Sequence, residues 1–297
     1  VILPLILMIA AGYIVQRSIG LDLRTLSRVN VYLLVPCFIF SHLYHFSLSL
    51  REAGVVVGYT WAVMAGVGLL AFLLARWRKL PRSLAVAFIV ATIFYNSGNY
   101  GLTVIELVFG EDSDAVDIQA LVLTSQNVLS FTIGAFFIST GARSARESLR
   151  KVARYPILPA VLAAVAFRLL HVPLPQFVDV PLARMASALA PIGLATLGAQ
   201  LANVSGVGRL LPLFGASVLR LCVGPGLGLL LIYATGINGL LAQVLLISSS
   251  VPTAVNSAIL SIEFDAEADF ASQAVVLSTV LSMVTVSVVV SMALRMF

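Results

Sequence analysis

Charge is what this sequence has least of. Of its 297 residues only 10% are Asp, Glu, Lys or Arg, against about 25% in an ordinary soluble domain. So small a charged fraction cannot cover a water-facing surface, which excludes a soluble enzyme, a nucleic-acid binder and a disordered protein. Cysteine is nearly absent too. Cys37 and Cys222 are the only two, both in apolar runs, so neither a disulfide framework nor a thiol metal site is expected. The sequence has no HExxH, no Gly-x-Gly-Asp, no plausible catalytic pair of Ser and His and no nucleotide-binding loop. An intramembrane enzyme or an ATP-driven pump therefore has no support, and no catalytic residue, metal ligand or cofactor is assigned. The opening run has no basic segment and no cleavage site, so it is expected to be a membrane span rather than a signal peptide. Because the sequence starts at Val1, a few residues are expected to precede it.

What is present is apolar. Sixty per cent of the residues are hydrophobic, and mean hydropathy is +1.04. A membrane helix needs roughly 20 mostly apolar residues. Ten such stretches are expected: 1–16, 30–45, 53–75, 83–109, 115–140, 155–170, 181–203, 209–235, 238–263 and 269–294. They are too long and too uniformly apolar for barrel strands. Thirteen of the 18 Lys and Arg residues fall in connections on one side, among them Arg17, Arg24, Arg28, Arg76, Arg78, Lys79 and Arg82. That side is expected to be cytoplasmic, with both termini outside. The basic segment 143–154 reads either as a solvated linker or as a helix lying on the membrane surface.

Landmarks recur at an offset of about 154 residues. Pro4 matches Pro159, Pro36 matches Pro191, Gly98 matches Pro252 and Gln119 matches Gln273. The expected organisation is a five-helix repeat at 1–142, the short linker 143–154 and a second five-helix repeat at 155–297. An odd number of spans per half would invert the second repeat. The expected fold is thus an all-α membrane protein of ten transmembrane helices in two inverted five-helix repeats, an arrangement found in many secondary transporters.

Two stretches carry polar interruptions. In FIVATIFYNSGNYGLTVIELVFG the residues Asn96, Ser97, Gly98, Asn99, Tyr100 and Gly101 break an apolar run. In VLLISSSVPTAVNSAILSIEF the matching place holds Ser248, Ser249, Ser250, Pro252, Thr253 and Asn256. Gly costs a helix about 1 kcal/mol and Pro about 3. Polar, helix-breaking residues at bilayer depth are tolerated where they line a cavity. A half-helix starting at each break would aim its amides, worth about +0.5 charge per helix end, at a shared pocket. A carboxylate suits that pocket, with Asn96, Asn99, Thr253 and Asn256 as hydrogen-bonding groups.

The opening LILMIAAGYIVQRSIGLDLRTLSRVNVYLLVPCFIF, the NSGNYGL element, APIGLATLGAQL and SSSVPTAVNSAILSIEFDAEADFASQAVVLSTVLSM together resemble the auxin efflux carrier family. That family contains plant auxin exporters and bacterial malate and malonate permeases. The resemblance covers essentially the whole chain. It implies crossing broken helices 4 and 9, as in sodium/bile-acid symporters and sodium/proton antiporters. It also implies an elevator mechanism, with helices 1, 2, 6 and 7 as scaffold and homodimer contact and helices 3–5 and 8–10 moving. The implied substrate is a small organic anion, bound by Asn96, Gly98, Asn99, Tyr100, Gly101, Ser250, Pro252, Thr253 and Asn256. Leu102 and Thr103 stand where the family commonly has proline, so the first break is expected to be less unwound than the second. The long central loop of the plant exporters is missing, which favours a prokaryotic-type carrier of a bacterial cell membrane.

Other polar residues have two readings each. Ser125, Gln126, Asn127, Ser278 and Thr279 could coordinate Na⁺ through neutral oxygens or simply bond between helices. Arg220, in the middle of an apolar stretch, could hold a substrate carboxylate, pair with Glu106 or Glu263, or snorkel. Glu106 could relay protons or form a bridge at a helix end. His42 and His45 could serve proton coupling or sit at the interface. Gly224, Pro225, Gly226 and Gly228 suggest a bent or tightly packed helix. Two further functions stand beside the organic-anion carrier: a sodium-coupled symporter of larger, bile-acid-like anions, and a membrane receptor or sensor on a carrier fold.

Overall fold

The computed structural model describes residues 2–46, 48–139, 156–204, 208–255, 257, 261 and 266–297, with the side chains of 2 and 131–139 left aside. The linker 143–154, Asn256 and Glu263 lie outside the described residues.

The expected ten transmembrane helices in two inverted five-helix repeats, with crossing helices 4 and 9 in the manner of the sodium symporters, are not what the structure contains. It has eleven helices among the described residues once segments that run on are joined. Five are long and apolar enough to cross a membrane. These are α2 (Leu23–His45), α3 (Leu50–Trp77), α8 (Gln176–Asn203), α9 (Leu210–Thr235) and α11 (Ala268–Met296). The others are α1 (Ile2–Ser18), α4 (Arg82–Ile93), α5 (Leu102–Phe109), α6 (Asp114–Ser139), α7 (Ile157–Leu169) and α10 (Gly239–Ser249). Length explains four of the five missing spans; the other stretch, 115–140, yields the 26-residue α6, which is not one of the five crossing helices above. The stretch 83–109 yields helices of 12 and 8 residues, and 238–263 begins with a helix of only 11. At 1.5 Å per residue, 12 residues cover about 18 Å of a hydrocarbon core about 30 Å thick. The stretches 1–16 and 155–170 yield helices of 17 and 13 residues.

The chain forms two compact units, and each draws on both halves of the sequence. One comprises Leu3–Gly54 and Gly98–Ala202; the other comprises Val55–Ser97 and Asn203–Phe297.

In the first unit α2 packs against α7 and α8. Helices α1 and α8 meet backbone to backbone. A Cβ on Gly198 would lie 1.9 Å from the Ile9 carbonyl oxygen, and one on Gly12 would lie 2.0 Å from that of Ala195. Small residues at such contacts are how apolar helices approach closely without a hydrophobic driving force between them. Phe40 stacks on Tyr44 and meets the edge of Phe167, while the Tyr44 hydroxyl donates to the Val172 carbonyl at 3.0 Å.

In the second unit α4, α9 and α11 enclose a core of Ala71, Leu84, Ala87, Phe88, Ala91, Leu213, Ala216, Phe270 and Ala274. Helix α10 lies between α9 and α11.

Two wide π turns interrupt helices, Asn30–Leu34 in α2 and Leu219–Val223 in α9, and a third, Ser97–Gly101, leads into α5. Two precede a proline, Pro36 and Pro225. Proline offers no N–H and its ring crowds the carbonyl four residues back. A wide turn accommodates this: the Val35 N–H reaches the Asn30 carbonyl, and the Gly224 N–H reaches that of Leu219. The extra residue turns a polar side chain inward, Asn30 in one case and Arg220 in the other, both buried.

Candidate functional site

In the second unit α4 stops at Phe94, which is extended, and α10 stops at Ser250. The two ends pair as a short antiparallel bridge between Tyr95 and Thr253. The Asn96 N–H donates to the Pro252 carbonyl at 2.8 Å, and the Ala254 N–H donates to that of Phe94 at 2.9 Å. Backbone groups that a helix end leaves without partners must find them elsewhere. Here the side chains supply several. The Thr253 hydroxyl donates to the Ala91 carbonyl at 2.8 Å, and the Thr253 N–H donates to the Ser278 hydroxyl at 3.1 Å. The Ser249 and Ser250 hydroxyls donate to Leu246 and Ile247 carbonyls at 2.7 and 2.6 Å.

Arg220 completes this arrangement. It is fully buried, and its Nη2 donates to the Ser249 carbonyl at the end of α10. The guanidinium lies 4.6 Å from the centre of the Tyr95 ring, a cation–π distance. A cation at a helix C-terminus also matches the dipole there. Leu210 opens α9, so Arg220 sits about 15 Å along it. That depth and its burial remove the snorkelling reading. No carboxylate pairs with it among the described residues.

Glycines make the room. A Cβ at Gly224 would lie 2.8 Å from Arg220 Nη2, and one at Gly228 would lie 2.3 Å from the Tyr59 hydroxyl and 2.7 Å from that of Ser249. The glycine-rich stretch of α9 therefore houses a polar cluster of Tyr59, Tyr95, Arg220 and Ser249.

The second unit thus gathers Asn96, Ser250, Pro252, Thr253, Ser278 and Arg220 around one interruption. Asn96, Ser250, Thr253, Ser278 and Thr279 are all buried. Three of the backbone amides at the break, those of Asn96, Thr253 and Ala254, already have protein partners. Fixed positive charge there comes from Arg220.

Gly98, Asn99, Tyr100, Gly101, Ser125, Gln126 and Asn127 belong to the first unit. There the Asn30 amide donates to Asn99 Oδ1 at 3.4 Å, and the Asn99 side chain covers Gly193, whose Cβ would lie 2.3 Å from that oxygen. Gly98 packs on Leu123, and Tyr100 is fully buried. The Ser125 hydroxyl donates within its own helix, to the Val122 carbonyl at 3.0 Å. His42 lies 2.8 Å from Asp117, and His45 lies 3.7 Å from Asp179. Sequence reasoning passed over Tyr59, Tyr95, Asn30 and Gly193. Asn30 left a signal, a polar residue six before a proline in an apolar run; Tyr59 left none.

Five helices long and apolar enough to cross a bilayer mark a multi-pass membrane protein, and comparison with known proteins gives its class. A family model described as "Membrane transport protein" matches residues 1–290, and the chain belongs to that family, which is not an enzyme family. It is 27% identical over 283 residues to an "Uncharacterized transporter" of Methanothermobacter thermautotrophicus (strain Delta H), a match that spans 93% of this chain and 92% of the relative.

Proposed function

We propose that this protein is a secondary or facilitative carrier of small organic anions, carboxylates such as malate, malonate or auxin-like acids. The observation that carries the reading is the bridged interruption of α4 and α10 with a buried Arg220 against it, which has no acid partner among the described residues. A helix pair is not broken at bilayer depth, nor a guanidinium buried there, without a considerable cost. An anion passing through offsets that cost. The resemblance of NSGNYGL and SSSVPTAVNSAIL to auxin efflux carriers points to the same substrate class. We further assign alternating access of the elevator type and a homodimer through α1, α2, α7 and α8. The basic connections after α1 and α3 mark the cytoplasmic face of the cell membrane by the positive-inside rule.

Uptake of radiolabelled mono- and dicarboxylates into proteoliposomes, with and without sodium and pH gradients, tests this. Saturable uptake of one of them is expected. Absence of uptake and exchange for every acid, by protein shown to be folded, would remove the assignment. Uptake of bile acids alone, and only with sodium, would replace it with the symporter reading.

A further inference from the structure

We propose that Arg220 is the counter-charge for the transported anion and that it restricts this carrier to anions with a single negative charge, a monocarboxylate being the simplest. The inference rests on the organic-anion reading and narrows it: of the acids named above it keeps the auxin-like monocarboxylates and excludes malate and malonate as dianions.

A buried cation is normally matched by an acid. Arg220 is fully buried, yet the one salt bridge among the described residues of its unit joins Arg209 to Glu267, both partly exposed. The protein meets the guanidinium only with partial charges: the Ser249 carbonyl on Nη2 and the Tyr95 ring on one face. Nε and Nη1, which carry most of the N–H donors, have no hydrogen-bond partner among the described residues. These donors are desolvated, and a carboxylate oxygen is the acceptor a guanidinium takes best.

The rest of the cluster is neutral. Tyr59, Tyr95 and Ser249 carry no charge at neutral pH, and all three are buried. Three break amides that would otherwise receive an anion are bonded within the protein. Among the described residues, one positive charge therefore meets the substrate. A monoanion brings the site to neutrality. A dianion leaves an uncompensated negative charge at the depth of the lipid, where a lone charge is expensive.

The test is equilibrium binding by calorimetry on the purified full chain in detergent. The probes are lactate, benzoate and indole-3-acetate as monocarboxylates, malonate and malate as dicarboxylates, and benzamide as the neutral isostere of benzoate. At least one monocarboxylate should bind tenfold or more tightly than either dicarboxylate, and benzamide should not compete. Arg220→Gln should weaken monocarboxylate binding roughly 30-fold or more, as for loss of one partner of a desolvated charge pair. Arg220→Lys should recover part of the affinity and keep the preference for one charge. Monocarboxylate affinity unchanged in Arg220→Gln would overturn the counter-charge role. Dicarboxylates bound as tightly as monocarboxylates by the wild type would overturn the charge restriction; both results leave the organic-anion carrier standing. Wild-type protein that binds none of the acids would bring down that reading and this one with it. Should Arg220→Gln fail to fold, the wild-type charge preference and Arg220→Lys decide.

Discussion

Replacing Thr253 by Val removes one hydroxyl and keeps the shape of the side chain. The hydroxyl donates to the Ala91 carbonyl at 2.8 Å in a buried place. Ala91 lies in the last turn of α4, where intrahelical donors run out. A net hydrogen bond is worth about 1 kcal/mol, and a buried acceptor left without its donor costs about 1–3. Hydrogen bonds between membrane helices average about 0.6 kcal/mol and reach about 1.7. The expected destabilisation is therefore about 1–2 kcal/mol, read as a shift in the unfolding midpoint in mixed detergent–SDS micelles. Ser278→Ala should cost a similar amount by releasing the Thr253 N–H, bonded at 3.1 Å. Because the two substitutions act on one residue, their effects should not add; a coupling of about 0.5 kcal/mol or more is expected. Thr253→Ser, which keeps the donor, should lie closer to wild type. If Thr253→Val unfolds with the wild-type midpoint, or the double variant loses the plain sum of the two singles, the bridge is not held as described.

Two further outcomes follow from packing and capping. Gly198→Val should lower thermal stability strongly, because its Cβ would lie 1.9 Å from a backbone oxygen of Ile9 that cannot swing aside; Gly54→Ala, with nothing within 4 Å, is the neutral control, and equal melting of the two would refute the close contact. Asp22 caps α2 by accepting from the Arg24 N–H, and the Thr25 hydroxyl holds its carboxyl below the usual range. A lowered carboxyl stabilises the folded state above its unfolded pKa of about 3.9. The protection of the Leu23–Val29 amides against hydrogen exchange should therefore fall as pH drops through the acid range. Asp22→Asn, also a good cap, should abolish that dependence, and an unchanged pH profile in it would refute the role.

That the stretches 83–109 and 238–263 are interrupted was legible in Asn96, Gly98, Gly101, Ser250 and Pro252, whose types weaken a helix wherever they occur. What the same residues did not reveal is that the described pieces, of 12, 8 and 11 residues, are too short to span a bilayer, so counting apolar stretches overstated the number of crossing helices. Arg220 was conspicuous as a charge in an apolar run, but its surroundings were not. The three readings open to it differed only in what lay beside it, and Ser249 and Tyr95 are 29 and 125 positions away. The glycines of α9 were legible as small and not as the walls of a polar cluster.

Membrane residence was decided by the sequence alone, because hydropathy is a sum over local side chains and needs no partner: 60% apolar and 10% charged leave no other solvent. So were the positions of weak helix, which follow from backbone chemistry. Only the tertiary structure decided that Asn96 bonds to Pro252, that Thr253 reaches back to Ala91, and that the Arg220 guanidinium meets the Ser249 carbonyl and the Tyr95 ring. Those pairings join residues far apart in the chain, and their energies depend on distance and burial, which exist only once the helices have packed.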